Sequence, residues 1–600
     1  MLFRSGAKIR LFILDGVPDI TSEQEARAFH DLLLRVISNA KQRSFGGKLY
    51  LSLACGRKTM STDMQDAAYC FGCDMLLHVL GDNTQTAQPM LMGAVARNEA
   101  INLEPQAFAD EEVIRFAPKK DYLERIEEQK HQSQHFFTSY YLNEKETRSN
   151  FHILYTLPPS KIEQLKSERL GVTTERQERE LEWLKRLPKC DLHCHLGGVL
   201  NIEQTVETAS YFQTGYMEGY AKDSPSYCRW LHGDRQSVFE DFLNKGWKKS
   251  VRESARLYNV PQVCISSPLL SIYSGREDEL KNLWYGMHAN EREFCGVGIE
   301  RYEQLGDLQG STLLDSLQTL EYALDVLLKR CESENVKYLE LRCSPLNYTT
   351  KKISGPMVVK SICNLLERAY PAVETSLIFI ISRHRGNIVD DYVNLVKEMN
   401  ADPMFKKYFR GFDLAGNESI KAPEELRQSF ISIMRECYNI TIHAGETESV
   451  ESIWQAVYHL NAERIGHGLH LLDNSELLTK FLERGIAVEM CPSSNFQIVG
   501  YQDNYYPQDT ANRPRYPLRD YLDKELKVCI NTDDPGISQT DMTHELHKAA
   551  RLTGGGLSKW DILQLICNGF RSAFSPYEQK KQLIRSVEKQ LEDLIKKEWL

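Results

Sequence analysis

The stretch Lys189-Cys190-Asp191-Leu192-His193-Cys194-His195 fixes the fold class of the chain. It has the length and apolar body of a buried strand, and residues two apart in a strand share a face, so His193 and His195 point to the same side. Three more clusters close short apolar, β-branched runs in the same way: His443-Ala444-Gly445-Glu446, His467 within Arg464-Ile465-Gly466-His467-Gly468, and Asp533-Asp534. Side chains at the ends of separate buried strands converge when those strands close into one barrel, on the rim at their C-terminal ends. Neutral imidazoles with a carboxylate suit a catalytic divalent metal, most simply zinc. The expectation is a metallohydrolase.

Working outward, the region after Pro188 alternates apolar runs with helical patterns. Strands are expected at Lys189 to His195, Lys337 to Cys343, Ser376 to Ser382, Phe409 to Leu414, Asn439 to His443, Arg464 to Gly466, Ala487 to Cys491 and Val528 to Thr532. Eight parallel strands with helical crossovers fit a closed (β/α)8 TIM barrel over residues 188–600. The first crossover, residues 197–336, is far longer than one helix and must hold a helical insertion.

Before the barrel, Ile9 to Leu14, a periodic helix from Ser22 to Asn39, and Lys48 to Ala54 lead into Cys55-Gly56-Arg57-Lys58-Thr59-Met60-Ser61. A second helical stretch from Met64 to Phe71 and the apolar run Met75 to Leu80 follow. Strand, helix, strand, helix, strand is Rossmann-like grammar, and residues 1–85 are read as such a domain in compact or partial form. Residues 86–187 turn polar and charged, which reads as a mostly helical connector with a short strand near Phe151 to Tyr155 and a long amphipathic helix from Glu163 to Lys185.

Six hundred residues with 42% hydrophobic content suffice for two domains. A net charge of -10 speaks against wrapping a nucleic-acid polymer, while leaving room for a local basic pocket. No run approaches the roughly 20 apolar residues that span a bilayer, and Met1 to Ser5 does not lead into a signal-peptide core, so no membrane contact and a cytoplasmic location are expected. Fifteen scattered cysteines are expected to be reduced.

The residue types suggest roles. Small Ala444 and Gly445 allow a tight turn that exposes His443 and Glu446, and a glutamate that is not itself a ligand is suited to protonating a substrate nitrogen. His467, between two glycines, can take a proton from an attacking water and then stabilise the charge that develops. Asp533 and Asp534 point apart, so one can ligate a metal while the other contacts substrate. His470 reads as packing.

Together, His193 to His195, His443 to Glu446, Arg464 to Gly468 and Asn531-Thr532-Asp533-Asp534-Pro535 resemble the adenosine deaminase branch of the amidohydrolase superfamily. Leu339 to Pro345, Gly411 to Gly416 and Met490-Cys491-Pro492-Ser493-Ser494-Asn495 add to the resemblance, which covers roughly residues 185–590. It implies one zinc per subunit held by His193, His195, His443 and Asp533. It further implies Glu446 as donor to the purine N1, His467 as the base on the attacking water, Asp534 at N7 and the Gly416 backbone at N3. The cytidine-type deaminase signature is absent.

One departure bears on the substrate. Adenosine deaminases usually continue the HxH motif with Leu-Asp-Gly, whose aspartate contacts the ribose 5′-hydroxyl, whereas this chain has Leu196-Gly197-Gly198. Gly197 removes a carboxylate that would repel a 5′-phosphate, which points to an adenine nucleotide. Arg342, Arg383, His384 and Arg385 stand near strand ends as candidate phosphate partners, with a structural salt bridge the equal alternative for each.

Leu51 to Met60 is similar to the Gly-Gly-Arg-Lys-Thr-Met loop of CRISPR-associated Rossmann-fold (CARF) sensors, with Gly56, Arg57, Lys58 and Thr59 as the expected effector-binding residues. Cys55 stands where such sensors usually have glycine, and the strand and turn expected ahead of Ile9 are not found, so the sensor is expected to be incomplete. A sensor fused to a deaminase barrel resembles the CRISPR-associated adenosine deaminase effectors of type III systems. That resemblance implies a homo-oligomer, thought to be a hexamer, in which cyclic oligoadenylate switches on conversion of ATP to ITP. The rival readings are a housekeeping deaminase of adenosine or AMP without second-messenger control, and a barrel that only senses nucleotides.

Overall fold

The computed structural model describes residues 9–14, 20–43, 48–53, 58–71, 73, 75–80, 90–92, 111–116, 151, 154, 159–309, 312–369, 372–384 and 388–599. The chain divides into two compact units, residues 1–148 with 152–163 and residues 149–151 with 164–600.

In the first unit, Ile9–Leu14 pairs in parallel with Glu111–Phe116, and Tyr50–Ser52 pairs in parallel with Met75–Leu80. Met75–Leu80 also takes Met90–Met92 as an antiparallel neighbour. The helix Glu23–Arg43 starts where Ser22 accepts from the Glu25 amide at 3.2 Å and the Glu25 carboxylate takes the Ser22 amide at 2.8 Å, a capping box read from opposite ends. Its Leu34 and Ile37 pack with Leu51 and with Ala67 and Ala68 of the helix Lys58–Phe71. Glu111–Phe116 lies in the stretch read as a helical connector. Its β-branched Val113 and Ile114 supply the partner that Ile9–Leu14 lacks among the earlier strands.

The long helix read over Glu163 to Lys185 is interrupted. Arg169–Leu170 forms a two-residue strand against Leu557–Ser558, and a new helix begins at Gln177–Arg186. Gly171 forces the break: its φ is +71°, and a Cβ there would lie 2.5 Å from the Ala550 and Arg551 backbone. Its amide donates to Glu180 at 2.8 Å. Phe151 forms no strand; it is buried with φ 55°.

The second unit is the expected barrel. Numbering its strands from β1, they are Lys189–His195 (β1), Val336–Cys343 (β2), Glu374–Ser382 (β3), Phe409–Ala415 (β4), Asn439–Ala444 (β5), Arg464–His467 (β6), Ala487–Met490 (β7) and Val528–Ile530 (β8). Each pairs in parallel with the next. The seam between β8 and β1 closes through Cys194 and Asp533. There the Asp533 amide donates to the His193 carbonyl at 2.7 Å and the His195 amide to the Asp533 carbonyl at 2.8 Å. Asp191 reinforces the seam by accepting from the Thr532 hydroxyl at 2.5 Å.

The first crossover carries a helical layer from Ile202–Gly215 to Ile299–Gln309. It has its own core, in which Phe212, Tyr227, Phe239, Trp247, Tyr273 and Trp284 are buried. The layer is tied to the barrel's C-terminal face: the amides of Gly296, Val297 and Gly298 donate to the carbonyls of Phe496, Gln497 and Ile498. The Tyr285 hydroxyl donates to the Ile537 carbonyl at 2.9 Å. No helix among the described residues is long and apolar enough to cross a membrane.

Candidate metal centre and active-site cavity

Four strand ends deliver the cluster. His193 on β1, His443 on β5, His467 at the end of β6 and Asp533 beyond β8 each bring one donor atom to within 4.8 Å of the others. His195 joins a second group with Asp413 and His443, and a third with Asp533 and Asp534. Its Nδ1 is 3.1 Å from Asp533, and its Nε2, 3.8 Å from Asp413, is buried without a hydrogen-bond partner. Backbone strain is concentrated here: His467 has φ 64° and Asp533 φ 61°, left-handed values that cost a non-glycine residue roughly 1–3 kcal/mol each. The two seam hydrogen bonds hold Asp533 in that conformation.

The tautomers follow from the carboxylates behind the rings. His193 Nδ1 lies 3.0 Å from Glu489, and His443 Nδ1 lies 3.0 Å from Asp413. Carboxylates only accept, so each ring carries its proton on Nδ1 and turns a bare Nε2 lone pair inward. Those two Nε2 atoms are 2.9 Å apart. Burial, then the Arg342 charge, holds His193 well below the ordinary histidine range, so a second proton does not relieve the repulsion. Two facing lone pairs and the Asp533 carboxylate, with His467 in the same group and the orphaned His195 nitrogen in an adjoining group that shares His443, supply donors for a cation, and nitrogens with one oxygen fit a divalent transition ion.

Behind the rings runs a chain of buried charges. Arg342 donates to Asp413 at 3.0 Å and to Glu489, and Arg464 forms an ion pair with Glu489 at 2.6 Å and donates to Glu340. Burial acts to raise Asp413, and its interactions with His443 and Arg342 outweigh it, leaving the carboxyl well below its usual range; burial acts to raise Glu489 too, and the Arg342 and Arg464 charges lower it. Both carboxylates therefore stay ionised and keep the imidazole lone pairs aimed inward.

On the substrate side, burial and then the Asp533 charge raise Glu446 well above the usual carboxylic range, so it holds a proton. Glu418 sets its loop by accepting from the Gly445 and Glu446 amides at 2.9 and 2.8 Å and from the Ser452 hydroxyl at 2.6 Å. Burial lowers His467 to about 4. Its Nδ1 faces the Asn495 amide group at 2.9 Å, and Asn495 is oriented in turn by the Tyr516 hydroxyl at 2.9 Å. Asp534 is raised by burial and by its neighbour Asp533.

A cavity of about 1640 Å³ opens over these groups, lined by His195, Gly197, Gly416, Glu446, His467 and Asp534 among others. Its volume exceeds the usual 300–1,000 Å³ of small-molecule pockets. A Cβ at Gly197 would meet nothing within 4 Å, whereas one at Gly198 would lie 2.0 Å from Asp534. Gly198 is demanded by packing; at Gly197 a side chain has room.

The residues read from sequence as ligands and catalysts thus come together, with His467 as near to the cluster as His195. Two phosphate candidates are corrected. Arg342 and Arg383 are buried, the first spent on Asp413 and Glu489 and the second on the Lys421 and His443 carbonyls. His384 is half exposed beside Glu303, and Arg385 lies outside the described residues, as do Gly56 and Arg57 and the Lys58 side chain. Thr59 is exposed in the first turn of Lys58–Phe71. His470 faces Asp473, away from the cluster. The sequence reading gave no roles to Asp413, Glu418, Glu489 and Asn495. A charge inside an apolar strand, as in β4 and β7, was the available signal for two of them.

A family model described as adenosine deaminase matches residues 308–590, and one described as CRISPR-associated protein NE0113 matches residues 13–132. The adenosine deaminase of Shigella boydii serotype 18 is 32% identical over 293 residues, which cover 46% of this chain and 83% of that protein. That of Vibrio atlanticus is 26% identical over 405 residues, 67% of this chain and 98% of that one. The crystal structure of adenine deaminase from Arthrobacter aurescens aligns over 68% of this chain and 99% of that chain, with a TM-score of 0.47 and 17% identity.

Proposed function

This chain belongs to the adenosine deaminase family and is a hydrolytic deaminase, and from that premise we propose that it removes the C6 amine of adenine nucleotides, with ATP converted to ITP. The observation that carries the reading is the pair of inward lone pairs on His193 and His443, set in a cavity where Gly197 has room for a side chain and carries none.

His193, His195, His443 and Asp533 would hold one zinc ion, whose contribution is Lewis acidity toward water. Glu446 donates its proton to N1 of the purine as water adds at C6. His467 takes a proton from the attacking water and returns it to the departing amine, so that ammonia leaves and C6 keeps the oxygen. Asp534 contacts N7, and the Gly416 backbone contacts N3. The buried carboxylates and arginines behind the rings keep these groups from reorganising during the reaction.

The NE0113 match over residues 13–132 supports a role in CRISPR-linked defence. There the first unit, through Gly56, Arg57, Lys58 and Thr59, would bind cyclic oligoadenylate and shift an oligomer, such as a hexamer, toward its active state. A second reading, deamination of free adenosine, is favoured by the names of the relatives. Ammonia release from zinc-loaded protein given ATP, AMP or adenosine, with and without cyclic tetra- or hexa-adenylate, separates them. Turnover of ATP that requires the cyclic compound is expected; adenosine turnover that equals it without any activator overturns the proposal.

A further inference from the structure

Helix Trp247–Tyr258 carries Lys248, Arg252 and Arg256 at positions i, i+4 and i+8. The adjoining face, Trp247, Val251 and Ala255, is buried in the core of the helical layer, so packing fixes where the cationic stripe points. All three cations line the active-site cavity. Like charges at this spacing oppose one another along a helix, and an anion bound between them would relieve that repulsion. Lys248 pairs with Asp307; Arg252 and Arg256 are exposed and form no ion pair among the described residues.

A second element adds to the stripe. Lys351 and Lys352, on the turn that follows β2, line the same cavity. Lys351 donates to Asn259, the residue just beyond the helix, and Lys352 lies 6.0 Å from the Tyr220 ring centroid. Acidic groups near the mouth do not cancel the set: Asp307 is held by Lys248, Glu303 faces His384 at 3.4 Å, and Asp223 remains. The cavity is therefore graded, with carboxyls and imidazoles at its floor and exposed cations at its mouth. A purine ring with a chain of phosphates has the same gradation of chemistry.

We infer that Arg252, Arg256, Lys351 and Lys352 form a phosphate-reading subsite that selects adenine di- and triphosphates. The inference rests on the nucleotide reading above and says which residues enforce it. Cations on two separate elements suit a chain of phosphates, whose charges are spread along its length. The subsite also sits in solvent, so its hold on the substrate weakens as salt screens it.

The test is steady-state deamination by the full zinc-loaded chain, with cyclic tetra- or hexa-adenylate present throughout, of ATP, AMP and adenosine, for the wild type and for Arg252→Ala/Arg256→Ala and Lys351→Ala/Lys352→Ala. Each double variant is expected to lower the ratio of kcat/KM for ATP to that for adenosine by roughly 10- to 100-fold, with AMP affected less. Wild-type KM for ATP is expected to rise with added salt more steeply than KM for adenosine. A wild type that prefers ATP, with both variants keeping that preference, overturns the subsite alone. A wild type that deaminates adenosine as well as ATP overturns the nucleotide reading and the subsite with it. Because the two pairs lie on different elements, loss of fold in one, read from its melting temperature, leaves the other to decide.

Discussion

The floor and the mouth of one cavity are built on opposite terms. At the floor every charged group is buried and answered: His193 by Glu489, His443 by Asp413, and those carboxylates by Arg342 and Arg464. At the mouth Arg252 and Arg256 stand exposed on one face of a helix, with no ion pair among the described residues. A floor of this kind cannot lose a member without leaving a buried charge unpaired, whereas a mouth of this kind changes preference by degrees. The difference separates what performs the reaction from what chooses the substrate.

The sharpest way to break the comparison is to empty the floor. Removing metal with a chelator, or replacing Asp533 with alanine, is expected to lower turnover by more than about 10⁴-fold, with added zinc rescuing the chelated wild type only. Ammonia release together with metal content by atomic emission checks this. Turnover that survives in metal-free protein would remove the donor set from the mechanism. Glu446→Gln comes next, with turnover expected to fall roughly 10³-fold while bound zinc is unchanged, since the glutamine keeps the shape but has no proton to give. A variant as fast as the wild type would end its role as donor.

Asp413→Asn tests the layer behind the rings. The variant loses the anion that fixes His443 and neutralises Arg342, and an affinity for zinc about 10- to 100-fold weaker is expected, measured by competition with a chromogenic chelator. An unchanged affinity would mean that the ring is held by packing alone.

Legibility in the sequence follows the same division. The eight strands and the residues at their ends could be read because a barrel converts strand ends into a rim, and a histidine or acid after an apolar run is local information. Arg342 and Arg383 were misread as phosphate partners because the same locality says nothing about what lies across the barrel. Their partners, Glu489 and the Lys421 and His443 carbonyls, are 147, 38 and 60 residues away. The cationic stripe was passed over because its meaning depends on which helix face is buried, and that is settled by Trp247, Val251 and Ala255 packing into a layer whose arrangement no single helix encodes. Gly171 likewise ended a helix that its charged flanks favour, because the Ala550 and Arg551 backbone leaves no room for a side chain there.

The smallest effect expected is at the boundary between the two regions. Gly197 lines the cavity with His195 on one side of it and open space where a Cβ would be, and its backbone is not in the left-handed region, so Gly197→Asp introduces a carboxylate with little strain. That carboxylate accepts a hydrogen bond from a free ribose 5′-hydroxyl and repels a phosphate at the same position. The ratio of kcat/KM for ATP to that for adenosine is expected to fall about 10-fold, equivalent to ~1.4 kcal/mol, with zinc content and melting temperature close to the wild type. A tenfold change confined to preference, set beside the collapse caused by Asp533→Ala, would confirm that selection and chemistry are separable in this cavity. If Gly197→Asp instead slows both substrates equally, the floor extends further toward the mouth than its burial indicates, and choice of substrate is made by the same residues that carry the reaction.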